Sequence, residues 1–144
     1  MKVFFDTSVL VAALVKLHPM HSQAINWLKR AKSHDLDMII SSHTLAELYA
    51  VLTTLPVSPK ITTEMAWRLI SENIEGISAI IPLSSSEYIA TIKHLRDLGL
   101  SGGIIYDALA FKAAIKSNAD KLLTFNVSDF KRLWPDEKIQ ILSP

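Results

Sequence analysis

The chain has no cysteine. Disulfides, thiolate zinc sites, iron–sulfur clusters and a cysteine nucleophile are therefore excluded. Net charge is nearly absent as well: 15 Lys+Arg against 14 Asp+Glu leave +1 over 144 residues. A protein that grips nucleic acid by bulk charge alone has a strongly basic balance, and this chain does not. No apolar run reaches the about 18 residues that a membrane span needs. The run from Val9 to Val15 lies behind a single basic residue, Lys2, and is preceded by Asp6. No small-x-small cleavage pattern follows it, so it reads as folded protein rather than a signal peptide. The expectation is a soluble cytoplasmic protein with no membrane contact.

What is present is ordinary globular material. Apolar residues make up 49% and charged residues 20%, which excludes disorder as the main state. The length fits one domain spanning residues 1–144. A chain of this size buries roughly 68–70% of its unfolded surface, enough for a core without staples.

The apolar pattern predicts strands at 3–5, 37–40, 77–81, 121–125 and 139–142. It predicts helices at 8–15, 20–33, 44–55, 62–74, 85–98 and 104–117. Thr7 or Ser8 is the expected cap of the first helix. Gly99 is the expected stop of the fifth. Strands alternating with helices argue for an α/β fold with a parallel sheet. Strands that are apolar throughout, rather than alternating, fit a sheet covered on both faces. The fold class is therefore a three-layer α/β/α arrangement around a mostly parallel sheet of four to five strands.

In such folds ligands bind beyond the carboxyl ends of the strands. Asp6 directly follows the first strand. Ser41, Ser42 and His43 follow the second and lead into the helix carrying Glu47. Asn126 and Asp129 follow the fourth, and Asp107 lies in the first turns of the helix after Gly102 and Gly103. Each acid has a plainer reading. Asp6 caps a helix, and Glu47 completes a capping box with Thr44. Asp107 answers the helix dipole, and Asp129 serves a turn. Two features favour a site. Gly103, Asp107, Ala110 and Ala114 share one helical face, so Asp107 sits on a stripe of small residues. Asp6 lies between an apolar strand and an apolar helix start, which predicts burial. Converging buried carboxylates must be protonated or paired. No lysine or arginine stands beside them in sequence. A hard divalent cation, magnesium or manganese, is the economical partner.

These residues also form a recognisable set. Phe4-Phe5-Asp6-Thr7-Ser8-Val9-Leu10 resembles the opening of PIN domains. Thr44-Leu45-Ala46-Glu47 resembles their second acidic motif, and Tyr106-Asp107-Ala108-Leu109-Ala110 the third. Residues 120–130, from Asp120 through Thr124, Asn126 and Asp129 to Phe130, resemble the closing motif. The match in order and spacing covers nearly the whole chain, and the length is similar to the VapC group of toxin–antitoxin toxins. The resemblance implies a metal-dependent endoribonuclease that leaves 5′-phosphate and 3′-hydroxyl ends. It implies Asp6, Glu47 and Asp107 as holders of Mg2+ or Mn2+, with Thr7 or Ser8 and Thr124 as hydroxyl supports. It further implies an RNA substrate, a cognate antitoxin and a homodimer. The chain departs from the pattern at Asn126, where many members carry a fourth acid. Asp129 either supplies that carboxylate or caps the following turn.

Other features carry less. His18 and His21 stand three apart but lack the further ligands zinc needs, and they are expected at a solvated helix start. His43 is either a substrate contact or a surface loop residue. Lys29, Arg30 and Lys32, Lys112 with Lys116, and Lys131 with Arg132 are basic clusters. Phe130 and Trp134 flank the last, as an RNA-stacking surface or as core. Trp67, Ile70 and Ile74 make an apolar stripe, either core or, as the resemblance implies, a partner contact. Rival functions are an RNA-processing nuclease without an antitoxin and a degenerate domain that only binds RNA or protein. An aspartyl phosphatase is a weaker rival, because the aspartate expected two residues after Asp6 is Ser8.

Overall fold

The structure is a computed structural model that describes residues 1–144. Five strands form one sheet: β1 (Lys2–Phe5), β2 (Asp37–Ser41), β3 (Ala79–Ile81), β4 (Lys121–Leu123) and β5 (Gln140–Leu142). Their order is β3-β2-β1-β4-β5 and every pairing is parallel. Seven helices connect them: α1 (Thr7–Leu14), α2 (His21–Lys32), α3 (Ser42–Thr54), α4 (Thr63–Asn73), α5 (Ser85–Leu98), α6 (Ile104–Lys116) and α7 (Val127–Lys131).

Side chains alternate across a strand, so apolar strands feed two cores. Val3, Phe5, Met38, Ile40 and Leu123 face one side and pack with α1 to α4. Phe4, Ile39 and Leu122 face the other and pack with α5, α6 and α7. This is the expected three-layer α/β/α arrangement. Phe130 belongs to the second core and is fully buried, with Phe111 against it edge to face at 6.1 Å. The stacking-surface reading of Phe130 therefore fails. Trp134 turns inward too, stacked on Phe111 and on His94.

Helix ends differ from the pattern in instructive ways. Asp6, not Thr7 or Ser8, occupies the cap position of α1. α3 begins two residues before the expected start. Its cap is Ser41, whose hydroxyl accepts the Thr44 N–H while Thr44 answers the Ser41 N–H. Thr44 is thus the third helical residue, and the capping-box role expected for Glu47 is taken by Thr44 itself. Ser84 and Glu87 form a second such box at α5. Gly99 ends α5 at φ 68°, the left-handed conformation glycine tolerates best. Lys116 is held by Glu87 at 2.8 Å and by the Pro82 carbonyl, so it is not a free phosphate contact.

Candidate active site

With β2 on one side of β1 and β4 on the other, the order in which strands are added reverses between β1 and β4. That crevice is where an open parallel sheet binds ligands. Asp6 follows β1 and Thr124 follows β4, so the two meet there. Asp6 is only 6% exposed. Its Oδ2 accepts the Ser8 hydroxyl at 2.7 Å and the Thr124 hydroxyl at 2.8 Å. Each hydroxyl also accepts a backbone N–H from the β4–α7 loop. Phe125 donates to Ser8 and Asn126 donates to Thr124. Two hydroxyls thus hold the loops after β1 and β4 together with Asp6 between them. Both act on one oxygen, which leaves Oδ1 without a side-chain partner.

A cleft of about 620 Å³ opens over this point, lined by Asp6, Thr7, Ser8, Glu47, Asp107 and Asn126 among others. Six of the expected site residues therefore converge, and Thr124 lies fully buried beneath them. A second cleft, about 390 Å³, opens at the opposite edge beside Lys2, His34 and Asp37, with Asp37 its single acid.

The acids feel one another. Burial raises the Asp6 carboxyl above its usual range, against the pull of the Ser8 and Thr124 hydroxyls. Burial also raises Glu47. His43 lowers it, the Asp6 charge raises it, and the Thr7 hydroxyl lowers it. Asp107 is pushed up to about 7, first by burial and then by the charges of Asp6, Asp129 and Glu47, while Arg132 pulls it down.

Asp129 stands apart from the first three. It lies within α7, whose cap position is Asn126, so it caps nothing. It pairs with Arg132 at 3.1 Å and does not line the cleft. Its charge nevertheless reaches Asp107.

Some contributors were not legible beforehand. His18 lines the cleft, stacked on Phe125 at 6.4 Å, and accepts the Met20 N–H. His21 sets its ring against the Ala12 carbonyl. Both are half-buried rather than solvated, although His21 does open α2. His43 is no loop residue: it sits in the first turn of α3. Its Nε2 lies 3.1 Å from Glu47 Oε1. The contact is out of line for a hydrogen bond, and this nitrogen is the one buried side-chain polar atom left without a partner. Tyr106 covers its ring in a parallel stack at 5.1 Å. Arg132 supplies a cation that sequence adjacency did not reveal. The only prior signals were the place of Tyr106 beside Asp107 and the helical spacing of Asp129 and Arg132.

The donor set suits a hard divalent ion. Three oxygen acids share one cleft, each is raised by burial, and Asp6 Oδ1 has no side-chain partner. No three acidic or histidine side chains close on a single ligation point. An ion placed here would therefore be held by one or two carboxylates directly and by others through water, a pattern magnesium tolerates.

Fold and site together define a doubly wound α/β protein with an acidic cleft at its topological switch point. The chain belongs to the PIN domain family, whose sequence model matches residues 3–133. Ribonuclease VapC27 of Mycobacterium tuberculosis is 32% identical over 80% of this chain and 78% of its own length. VapBC2 of Rickettsia felis, solved with a DNA fragment from its promoter, shares 24% identity. Its TM-score is 0.67, over 100% of this chain and 99% of that one. VapC20 of M. tuberculosis, described as a sarcin-ricin loop cleaving toxin, superposes with TM-score 0.69 at 16% identity. It covers 88% of this chain and 92% of its own. The two solved structures share the fold. No helix here is long and apolar enough to cross a membrane.

Proposed function

We propose that this chain, as one nuclease domain over residues 1–144, is the endoribonuclease toxin of a VapBC-type toxin–antitoxin pair. The carrying observation is the cleft shared by Asp6, Glu47 and Asp107, three mutually repelling carboxylates at the switch point of a PIN fold. Asp6 and Asp107 would hold Mg2+ or Mn2+ directly, and Glu47 would reach it through water. When bound, the ion supplies Lewis-acid stabilisation of the scissile phosphate and lowers the pKa of water. Ser8 and Thr124 fix the Asp6 carboxylate, which removes the cost of orienting it during reaction. Glu47 receives the proton of the attacking water. Water adds to phosphorus, the P–O3′ bond breaks and the departing 3′-oxygen takes a proton from solvent, leaving a 5′-phosphate and a 3′-hydroxyl. Asn126 stands at the cleft wall where many relatives carry a fourth acid, and it orients water through its amide. Asp129 contributes charge from outside the wall.

The protein works in the cytoplasm as a homodimer silenced by its antitoxin. Trp67 supports a partner surface: Ile70 and Ile74 of its stripe are buried, but Trp67 is 53% exposed. An apolar helix laid on this face would use Trp67 as an anchor.

The test is cleavage of a defined set of structured RNAs by purified protein in manganese, magnesium or EDTA. Asp107→Asn, purified in parallel, controls for contaminating ribonuclease. Metal-dependent cutting absent from the variant is expected. Cutting that is equal in variant and wild type would remove the site assignment.

A further inference from the structure

The parallel stack of His43 and Tyr106 has no part in the scheme above. The rings lie 5.1 Å apart and 4° from coplanar. Tyr106 is 49% exposed, and its hydroxyl makes no hydrogen bond within the protein. Half of the residue therefore meets solvent, where a ligand can reach it. Its inner face is held by an imidazole that is itself wedged against Glu47 at 3.1 Å. The ring is therefore fixed in orientation before any ligand arrives, with little entropy left to lose.

Its position is specific. Tyr106 directly precedes Asp107 on α6, and His43 lies one helical turn before Glu47 on α3. The pair thus bridges the two helices that carry two of the three cleft acids. Neither ring lines the cleft itself. The stack stands on the rim, beside the place where a phosphodiester would meet the carboxylates.

We infer that the exposed face of Tyr106, backed by His43, is a stacking platform for one nucleobase flanking the scissile phosphate of RNA. The inference rests on the ribonuclease reading and adds a substrate contact to it. Unpaired bases stack on aromatic faces with little regard to sequence, and such contacts are a common way to hold single-stranded nucleic acid. The chain's near-zero net charge makes this more telling. With weak bulk attraction to phosphate, a base contact supplies affinity and sets which unpaired nucleotide lies next to the cut. The substrate class is accordingly a loop or bulge with at least one unstacked base beside the cleaved bond.

The experiment uses the full chain and an RNA whose cut site has been mapped with the wild type. Single abasic nucleotides are placed in turn at the positions flanking the cut. One position is expected to weaken wild-type kcat/KM roughly 5- to 150-fold, the range of one lost stack. Tyr106→Ala should show a similar loss on intact RNA, mostly in KM, and should be indifferent to the abasic change there. Tyr106→Phe, which keeps the ring, should stay close to wild type. Thermal midpoints of both variants report whether the fold is kept. If Tyr106→Ala feels every abasic position as strongly as the wild type, the platform is overturned. If Tyr106→Phe fails as badly as Tyr106→Ala, the hydroxyl and not the ring matters, and the platform is overturned as well. Wild type that cuts no RNA overturns the ribonuclease reading, and the platform falls with it. Wild type that cuts, with variants that do not discriminate, overturns the platform alone.

Discussion

Thr124 donates its hydroxyl to Asp6 Oδ2 at 2.8 Å, across 118 positions of sequence. Thr124 is fully buried, and the same hydroxyl accepts the Asn126 N–H. Thr124→Val keeps the shape and removes both bonds. A hydrogen bond to a charged group is worth about 1.5–3 kcal/mol, so a stability loss of about 1–3 kcal/mol is expected by denaturant titration. Thr124→Ser should recover most of it. Equal stability of Thr124→Val and wild type would mean that Asp6 does not depend on this contact.

Asp107→Asn removes one charge from a set that repels itself. Cleavage should fall at least a hundredfold, while the metal-free variant keeps or raises its thermal midpoint at pH 8. Circular dichroism and a melting curve check the fold, and a discontinuous RNA assay checks activity. A large drop in midpoint would show that Asp107 is a structural group instead.

The Asp107 carboxyl moves from 3.8 in the unfolded chain to about 7 in the fold. Between those values the folded protein binds more protons than the unfolded one, so stability falls as pH rises. The loss begins near pH 4 and is complete just above pH 7. Asp6 and Glu47 are raised too and act with the same sign. Glu87, lowered to about 2, acts oppositely, but only below its ordinary value of 4.5. Metal-free protein should therefore melt higher at pH 5.5 than at pH 8. In Asp107→Asn that slope should flatten.

A divalent ion should reverse the same balance at pH 8. Manganese at about 100 times its Kd would add about 2.7 kcal/mol. For a chain of this size that is a rise of about 5–10 °C in Tm, removable by EDTA. At pH 6 the rise should shrink, because protons compete for Asp107. An unchanged midpoint at both pH values, with calorimetry showing no binding, would argue against a metal site.

The element pattern was largely legible in the sequence because burial on both faces of a parallel sheet demands continuous apolar strands, and 3–5, 38–40 and 122–123 are such runs. Helices with a strong apolar stripe, such as α4 and α5, were legible too, and Gly99 marked its boundary through backbone conformation alone. Helix α7 was missed. Five residues are too few for a periodic signal, and its apolar contribution to the core is the single side chain Phe130. The start of α3 was misplaced because Ser41 and Thr44 are both credible caps in a one-dimensional reading. Only their reciprocal hydrogen bonds decide between them.

The site divides in the same way. Residue chemistry and position relative to the strand ends made Asp6, Glu47, Asp107, Asn126 and Asp129 candidates, and the first four line one cleft. They stand where chain order and strand polarity place them, at one edge of a parallel sheet. Whether Asp129 joins them, where Arg132 points and what covers His43 were decided only by tertiary structure. Those outcomes depend on side-chain directions set by the packing of α7 on α6 and by the approach of α3 to α6. Such contacts join distant segments, and no local pattern carries them. The sequence alone determined which groups are available, and the fold determined which of them repel, pair or stack.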